Sequence, residues 1–597
     1  MMKKINIFIS CTLLLLITAC SEDYLEKFPK DQLTEATTFT TNTNFETYAW
    51  GLYSNLNIFN DAGGWGHFDF IDSEYHGDLL MSSSGSLGSS WLWQRVTVPS
   101  SSSNWNSPYV NIRKANLMID NIDNSQLTAV EKDHWRSVGY FFRAYQYIKL
   151  ISKYGAVPWI DKALSDGDVE ALYGERTSRD IVAQNILNDL KWAEAHLNED
   201  GNGNNTINPD VVRVLISRFG LFEGTWRKYH SLGDENTYLQ ASADASAQLI
   251  ENHPSLHPKY DEVFNSISLE GVNGILLYKQ FEYGQLTNRV SWWNRSSIGT
   301  GDLTKKAVDS YLCIDGQTRW TSPLFDGDQD EYDEFRNRDE RLYFTVVPPF
   351  RVDTDGKNQL TWEYTDNPKH REYIDLMENL TDGSHKSLPT ANWRGLIVRT
   401  SPHFRKFNEG HGYNVSYTGY RGYKHYNRFV DEQDADIHDG PIFRMGEVLV
   451  NYAEAMYELG KFTQNTADLT INKLRERGSV APLTIGNVYD DPTRDTSVDP
   501  ILWEIRRERG IELMSEGFRF DDLRRWKKVN EYAGVEKLGR YVVNANYNNT
   551  LPIQGGASEG YISPFGVPPG FLDHYYLYPI PSDQIVLNPK ITQNPGW

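Results

Sequence analysis

The segment from residue 503 to residue 528 constrains the fold more than any other part of this 597-residue chain. Its apolar residues interleave with charged residues of both signs, which recur at intervals of three and four positions. A helix with this pattern buries one face while neighbouring acids and bases pair along its surface. Gly517 divides the segment. The sequence therefore predicts two helices, 503–515 and 518–528, that meet at a tight corner.

The acidic residues of this segment admit two interpretations; they are Glu508, Glu512, Asp521 and Asp522. Paired carboxylates suit the general acid and base of a hydrolase. Alternatively, the acids pair with arginines of the same segment and lock one helix to the next. Each acid has an arginine within helical reach, which lowers the pKa of the carboxyl and keeps it ionised. Because a general acid must carry a proton, the pattern favours an ion-pair network.

The first twenty residues predict export. Lys3 and Lys4 precede an apolar run, 5–17, that is too short to span a bilayer and is typical of a signal peptide. Small residues follow, and then Cys20, in an arrangement that resembles a bacterial lipobox. We therefore expect residues 1–19 to be a signal peptide and Cys20 to carry acyl chains such as palmitate. An ordinary secretory cleavage beside a cysteine is the alternative.

The remaining cysteine usage and the net charge narrow the class of protein. Cys11 is expected to leave with the signal peptide and Cys20 to carry lipid, so Cys313 is the remaining cysteine and no disulfide framework is expected. We therefore expect a large hydrophobic core to stabilise the fold. The formal net charge is −21. A field of this sign repels polyanions and argues against nucleic acid as a partner.

Helical patterns dominate both ends of the chain and indicate a mainly α fold. After a helix near 44–57, the pattern predicts helices at 109–122, 128–153, 178–196, 209–229 and 237–252, with capping signals at Thr128 and at Asn208-Pro209. Helices are predicted again at 442–459 and 466–477. Paired amphipathic helices suggest a tetratricopeptide-like array, although no clean repeat period is visible. Between them, short strand-like runs occur at 274–280, 342–347 and 396–399.

The composition along the chain predicts four regions. They are the signal peptide (1–19), an N-terminal helical region (20–252) with a long loop at 61–108, a loop-rich middle region (253–439) and a C-terminal helical region (440–597). The loop at 61–108 is rich in Gly and Ser and holds four tryptophans, which argues against plain disorder.

Aromatic residues in two of these regions suggest a surface that binds sugars. Aromatic rings stack on the apolar faces of pyranoses, while planar polar side chains bind the hydroxyls. The chain holds 17 Trp and 35 Tyr. The alternative is that each tryptophan packs a loop onto the scaffold, and Trp105 fits this better because it leads into a helix. The candidate ligand-binding residues are Trp91, Trp93 and Arg95 in the early loop, and Tyr283, Trp292, Trp293, Arg295 and Trp320 in the middle region.

Motifs for catalysis and for metal binding are weak. The chain has no phosphate-binding glycine loop, no HExxH and no CxxC motif. Two loops, 200–206 and 326–330, alternate oxygen-bearing residues as calcium loops do, but neither has the glycine at position six or the glutamate at position twelve. We therefore expect no cofactor, with structural calcium as an open alternative to a solvated acidic turn.

Several motifs in order along the chain resemble the SusD/RagB family of outer-membrane nutrient-binding lipoproteins of Bacteroidetes. They are FRAY (142–145) with YGAVP (154–158), RMGE (444–447) with YAEA (452–455), INKLRER (471–477), ERGIELMSEGFRFDDLRRW (508–526), and YPIP with QNPGW at the end of the chain. The chain departs from the family pattern at Ala156, where a second glycine is commoner, and at Glu340 within RDERL.

The resemblance carries expectations about function as well as fold. It implies a tetratricopeptide-type scaffold, a ligand face built from the early loop and the middle region, and delivery of a captured glycan to a SusC-like TonB-dependent transporter. The expected location is the outer membrane, facing outward on a lipid anchor, and no enzymatic activity is expected. Two alternatives remain open: a peptide-binding member of the family and a lipid-anchored glycoside hydrolase.

Overall fold

The computed structural model describes residues 38–56, 58–59, 71–82, 90–93, 95–295, 301–356, 358–381, 385–404, 415–428, 435–489 and 491–597. The predicted signal peptide and Cys20 lie outside these ranges, as do residues 61–70, 83–89 and 94 of the predicted loop at 61–108. The described helices are α1 Asn42–Tyr53, α2 Ile71–Glu74, α3 Ser90–Trp93, α4 Ser103–Asn121, α5 Ala129–Tyr154, α6 Val169–Leu172, α7 Arg179–His196, α8 Pro209–Tyr229, α9 Glu235–Asn252, α10 Glu262–Asn265, α11 Val290–Arg295, α12 Lys305–Ser310, α13 Glu331–Phe335, α14 Glu340–Thr345, α15 Glu372–Thr381, α16 Met445–Glu458, α17 Gln464–Leu469, α18 Ile471–Arg477, α19 Pro500–Glu512, α20 Arg519–Arg525, α21 Val529–Ala533 and α22 Ser582–Leu587.

The strands are short and all of their pairings are antiparallel. The described strands are β1 Leu80–Met81, β2 Ile275–Lys279, β3 Asp302–Leu303, β4 Phe350–Thr354, β5 Trp362–Tyr364, β6 Thr400–Ser401, β7 Gly440–Arg444, β8 Tyr541–Val543 and β9 Glu559–Tyr561. They form the sheets β1-β3, β2-β7, β5-β4-β6 and β8-β9. The β1-β3 pairing joins the early segment to the middle region, which positions the site described below.

Capping residues set the helix starts as predicted. Thr128 and Glu131 form a complete capping box at the start of α5. The side chain of Ser178 accepts a hydrogen bond from the Ile181 N–H at the start of α7. Asn208 caps α8, in which Pro209 occupies the first position. These local signals are confirmed to within a residue or two.

The fold is mainly α and tetratricopeptide-like, as predicted. Successive long helices pack in pairs, α4 on α5, α5 on α7 and α8 on α9, and α9 then packs on α16 of the C-terminal region. One hydrophobic core runs through both ends of the chain, from Phe39 through Leu277 and Phe443 to Ile591. A second core holds most of the buried apolar residues between positions 252 and 439, from Tyr260 to Tyr426, together with residues of the early segment and with Ile511 and Met514 of the C-terminal region.

Several element predictions are corrected by the structure. Residues 342–345 of the run 342–347, predicted as a strand, lie in α14, because a short apolar run fits a buried helical turn equally well. Residues 396–399 belong to no strand, although Ile397 bridges Ala391. The helix predicted to begin at 442 begins at Met445, after β7. The helix predicted at 466–477 is two helices, α17 and α18, divided at Thr470.

Two further observations concern the cysteine and the helices of the described residues. Cys313 is buried and unpaired with any described cysteine. No helix in the described part of the chain has both the length and the apolar character that a bilayer crossing requires.

Candidate functional site

The acidic residues of α19 are buried among arginines rather than exposed to a substrate. Glu512 accepts hydrogen bonds from Arg444 (2.5 Å) and Arg477 (2.6 Å), and Arg341 lies 3.3 Å away. Burial acts to raise the pKa of the Glu512 carboxyl, but the three arginines outweigh it and hold the pKa well below its usual range. A carboxyl held ionised in this way is unsuited to donate a proton, so Glu512 has the properties of a structural residue.

Glu508 differs from the prediction in one respect. It contacts Arg341 at 2.5 Å, as an ion-pair network requires. Burial nevertheless raises the pKa of the Glu508 carboxyl above its usual value, against the opposing effect of Arg341 and Arg475. The expectation of a lowered pKa was wrong here because it considered the charged neighbours and not the complete burial of the side chain.

The arginines of the segment pair mostly with acids from other parts of the chain. Arg509 pairs with Asp522 across the corner between α19 and α20, as predicted. In contrast, Arg525 pairs with Glu454 of α16 at 2.5 Å, and Arg519 pairs with Asp78 of the early segment at 2.7 Å. The ion-pair network is therefore confirmed, and it joins three regions of the chain instead of two adjacent helices.

The early-loop tryptophan nearest this network is buried. Trp91 is 8% exposed and lies in α3. Its ring contacts the rings of Tyr575 (5.3 Å between centroids), Tyr578 (4.6 Å) and Trp597 (6.3 Å). This aromatic cluster fastens the early segment to the C-terminal tail, so the Trp91 side chain is not available to a ligand in this conformation.

Helix α11 carries three of the predicted residues. The side chains of two of them, Trp292 and Arg295, are buried. The main-chain N–H of Trp292 donates to an Asp436 carboxylate oxygen at 2.8 Å. The backbone of Trp293 lies in the same helix, and its side chain lies outside the described part of the structure. Burial gives Trp292 and Arg295 the character of packing residues.

The other predicted residues remain at the surface. Trp320 is 47% exposed, Tyr283 and Arg95 are exposed, and Trp93 is half-buried beside the Trp91 cluster. The Arg319 guanidinium lies 4.2 Å from the centroid of the Trp320 ring and stiffens it from one side. The structure thus separates the predicted aromatic residues into a buried group and an exposed group.

The two loops for which calcium was the open alternative use their polar groups for internal contacts. In the first loop the Asn202 amide donates to Glu46, and the Asn205 amide donates to the main-chain oxygen of Tyr278. In the second loop Asp328 pairs with Arg319, and Asp330 caps α13. Within the described ranges, no three His, Cys, Asp or Glu side chains converge as a metal site requires.

A large cavity lies where the early segment, the middle region and the C-terminal helices meet. Its volume is about 280 Å³, near the lower end of the range of about 300–1,000 Å³ for small-molecule pockets. Its lining comes from Asp78 and Leu79, from the 304–310 segment around α12, from α19, α20 and α21, and from residues 535–538. Two residues of the early loop, Asp78 and Leu79, and the 304–310 segment of the middle region thus line one cavity together with C-terminal residues.

Aromatic rings form one wall of the cavity. Trp503 is half-buried, and its ring lies 26° from parallel with that of Tyr532, with 6.1 Å between centroids. Trp526 lines the same wall. Gly510 of α19 also lines the cavity, and a Cβ atom there would make ordinary van der Waals contacts with Leu79 at 3.5 Å and the Arg519 guanidinium at 3.8 Å. A long side chain at position 510 would therefore occupy part of the cavity.

Basic side chains line the cavity next to the aromatic rings. Arg519 and Lys306 both pair with Asp78, at 2.7 and 2.8 Å. Burial acts to raise the pKa of the Asp78 carboxyl, but the two cations outweigh it and hold the pKa well below its usual range. The Lys306 ammonium also lies 4.4 Å from the centroid of the Tyr532 ring, and the Arg519 guanidinium lies 5.5 Å from that of Trp526. We call these basic side chains the charged wall; an aromatic wall beside fixed polar groups suits a ligand with both an apolar face and polar substituents.

The exposed Trp320 lies beside this cavity. Arg319, which contacts the Trp320 ring, also pairs with Asp309 of the cavity lining at 2.7 Å. A second cavity of about 130 Å³ is lined by Thr318, two positions before Trp320, and by the exposed Tyr489 among others. Trp320 itself lines neither cavity, but its neighbour Arg319 contacts the lining of the first cavity and Thr318 lines the second. We call Trp320 and the large cavity together the candidate site.

Sequence reasoning did not identify the cavity residues. Trp503, Lys306 and Lys537 lie far apart in the chain, and each reads as an ordinary residue of a charged helix or loop. One signal was present. Gly510 stands inside a helical pattern, where glycine costs about 1 kcal/mol relative to alanine and usually marks a packing or functional need.

Family models match two long parts of the chain. The model described as the SusD family matches residues 277–597. The model described as starch-binding and associating with the outer membrane matches residues 23–210. Together the two matches include every segment that lines the large cavity.

Individual relatives and solved structures are similar over almost the whole chain. SusD-like protein P2 of Formosa agariphila is 25% identical over 581 residues, which covers 93% of this chain and 97% of the relative. A SusD-like carbohydrate-binding protein of Bacteroides fragilis matches the structure with a TM-score of 0.68 at 19% identity, covering 93% of this chain and all of that one. A laminarin-binding SusD-like protein matches with a TM-score of 0.55 at 15% identity, covering 94% of this chain and all of that one.

The structural matches show the shared fold, and the sequence match at 277–597 covers more than half of the chain. The chain therefore belongs to the SusD family.

Proposed function

We propose that this protein is a glycan-binding lipoprotein of the cell surface that captures oligosaccharide at the candidate site. The observation that carries the proposal is a cavity with an aromatic wall and a charged wall in a chain whose N-terminal part matches a starch-binding family model. Relatives of the same fold named as carbohydrate-binding and laminarin-binding support it. The buried, arginine-bound state of Glu508 and Glu512 supports binding without hydrolysis.

We assign the ligand contacts to the exposed members of the predicted set and to the cavity. Trp320 offers its free ring face beside the cavity, and Trp503 offers a half-buried ring inside it. Tyr283 and Arg95 are exposed and remain candidates for contacts of a longer chain. Trp91, Trp292 and Arg295 support the surrounding segments through packing.

The proposal includes a membrane anchor and a transporter partner. Cys20 follows a short apolar run and would hold the protein at the outer membrane through its acyl chains, which contribute about 0.8 kcal/mol per buried CH₂ group. A family model described as associating with the outer membrane supports this location. The captured glycan would pass to a SusC-like TonB-dependent transporter, a partner implied by the family resemblance.

A binding panel tests the proposal. The purified protein is titrated against neutral and acidic polysaccharides, their oligosaccharides and a set of peptides, and each polysaccharide is also assayed for released products. We expect affinity for at least one glycan without product release. Peptide binding alone would favour the peptide-binding alternative, and released oligosaccharides would favour a hydrolase.

A matched pair of tryptophan variants then tests the site. Trp320→Ala should weaken glycan binding about fivefold, since an aromatic contact contributes on the order of 1 kcal/mol. Trp50→Ala removes a tryptophan of equal exposure, 48%, on the remote helix α1 and should leave affinity unchanged. Equal effects of the two variants would remove Trp320 from the site.

A further inference from the structure

The charged wall of the large cavity carries more positive charge than its carboxylates balance. Asp78 is shared by two cations, Arg519 and Lys306. A third cation, Lys537, donates to the main-chain oxygens of Tyr75 (3.0 Å) and Leu80 (2.8 Å), and no carboxylate of the described residues pairs with it. Three cations therefore share one carboxylate at this end of the cavity.

The other acids near this end reduce the excess in part, but none of those described below forms an ion pair with these three cations. Glu74 is buried, and burial raises the pKa of its carboxyl to about 7, so it carries only part of a charge at neutral pH. Glu536 lines the cavity, and its two carboxylate oxygens accept hydrogen bonds from the uncharged side chains of Ser563 and Gln554, not from the cavity lysines. Asp309 and Asp491 each have arginine partners of their own.

The two lysines are placed to meet a ligand. The Lys306 side chain is 40% exposed although its ammonium is held between Asp78 and the Tyr532 ring. Burial lowers the pKa of Lys537 to about 8 and also lowers that of Lys306. An anion in the cavity would offset the cost of keeping these two partly desolvated ammonium groups charged.

We propose that the sugar unit held in the large cavity carries an acidic group, a carboxylate or a sulfate ester, that binds the ammonium groups of Lys306 and Lys537. This inference rests on the proposed glycan-binding function and names its ligand class. The sugar ring would stack against Trp503 on the aromatic wall, and the acidic group would point to the charged wall. The size of the cavity matches one such unit and not a long chain.

The net charge of the protein makes this recognition local. At −21, the chain as a whole repels anions at long range. At physiological ionic strength that field is screened beyond about 8 Å, whereas charges inside a cavity are screened much less. The cavity lysines therefore decide the affinity, and the surface charge disfavours unspecific binding of acidic chains.

Three monosaccharide glycosides test the inference directly. Methyl glucuronide and methyl glucoside 6-sulfate carry the two acidic groups, and methyl glucoside is their neutral counterpart. Binding to the full-length protein is measured by calorimetry or ligand-observed NMR at physiological salt, with inorganic sulfate as a fourth probe. We expect at least one acidic glycoside to bind at least tenfold more tightly than methyl glucoside and than inorganic sulfate.

Lysine variants locate the effect. Lys306→Gln and Lys537→Gln should each reduce the preference for the acidic glycoside at least fivefold, and Gly510→Met, which places a long side chain in the cavity, should abolish binding of all three glycosides. Lys191→Gln changes an exposed lysine on α7 and serves as the matched control. Melting curves of every variant show that the binding data refer to folded protein.

The outcomes separate this inference from the proposed function. Equal binding of the acidic and neutral glycosides, both lost in Gly510→Met, would overturn the acidic-ligand inference and leave glycan binding standing. A preference for the acidic glycoside that is unchanged in both lysine variants would overturn the assignment of the acidic group to the charged wall. Binding of inorganic sulfate as tight as that of the acidic glycosides would show that the charged wall binds anions in general, and it would overturn the inference that the wall recognises an acidic sugar.

Discussion

At the scale of single residues, the structure depends on a few buried charges with several partners each. Glu512 is the clearest case, because Arg444 and Arg477 donate to it and Arg341 lies close by. A buried carboxylate with this many cations offsets its desolvation only while all the partners remain. Removing the carboxylate leaves the three arginines buried without this partner.

We predict that Glu512→Ala destabilises the protein by about 3–5 kcal/mol, because it leaves buried arginines unpaired. Asp521→Ala removes an exposed acid paired with Arg524 and should cost less than about 1 kcal/mol. Urea unfolding midpoints of the two variants measure the difference. A Glu512→Ala midpoint equal to that of the wild type would contradict the structural role.

The ionisation of Glu512 also makes the stability of the folded protein depend on pH. The folded-state pKa of Glu512 lies below its unfolded value of about 4.3, so its stabilising contribution is present above that value and is lost as the pH falls through the folded pKa. The melting-temperature gap between the wild type and Glu512→Ala should therefore be full at pH 7 and shrink below pH 4.

The residue scale also shows what sequence reasoning could reach. The presence of ion pairs around α19 followed from the density of opposite charges, and the Arg509–Asp522 pair lay within reach of a helix corner. The partners Arg341 and Asp78 did not follow, since Arg341 is separated from Glu512 by 171 residues and local spacing carries no information on such contacts. The cavity between Asp78 and α19 was unpredictable for the same reason.

At the scale of elements, prediction succeeded where a local chemical signal fixes an end. The capping box of α5 and the Asn208-Pro209 start of α8 depend only on neighbouring residues. The errors at 342–347 and at 442–444 fall on short apolar runs, whose conformation depends on the surface they pack against. The four-residue helix α3 also depends on the surface it packs against, since its Trp91 ring contacts Tyr578 of the C-terminal tail.

We predict that Trp91→Ala costs about 3–5 kcal/mol, as loss of a buried tryptophan usually does, and loosens the C-terminal tail. Limited proteolysis should then cut within 565–597 before the helical core. Trp320→Ala, which removes an exposed ring, should leave both the unfolding midpoint and the proteolysis pattern unchanged. If Trp91→Ala weakened glycan binding at full stability, the ring would belong to the ligand site.

At the scale of the whole molecule, one core joins the two ends of the chain, and the proposed anchor precedes it. The first described residue is Thr38, eighteen positions after Cys20. The proposed acyl chains on Cys20 would hold the folded body at the membrane surface. The SusC-like partner would then meet a body held close to the same membrane.

We predict that Cys20→Ala releases the protein from the membrane fraction and abolishes labelling with fatty acid. Cys11→Ala, which changes a cysteine inside the expected signal peptide, should leave both unchanged. Mild detergent extraction of the wild type should also copurify a large β-barrel transporter. Continued fatty-acid labelling of Cys20→Ala would refute the anchor, and recovery of the protein alone from several detergents would count against the transporter.

The contact between α3 and the tail has a consequence for the order in which the chain folds. The Val96 N–H donates to the Tyr575 hydroxyl across 479 residues of sequence, and the Trp91 ring meets the same part of the tail. Closing so long a loop is entropically costly, so it occurs after the intervening helices have shortened the effective distance. Residues 90–93 and the aromatic rings of 571–578 therefore stay exposed until late. Until this contact forms, the protein is most open to aggregation or to a chaperone that covers aromatic surfaces.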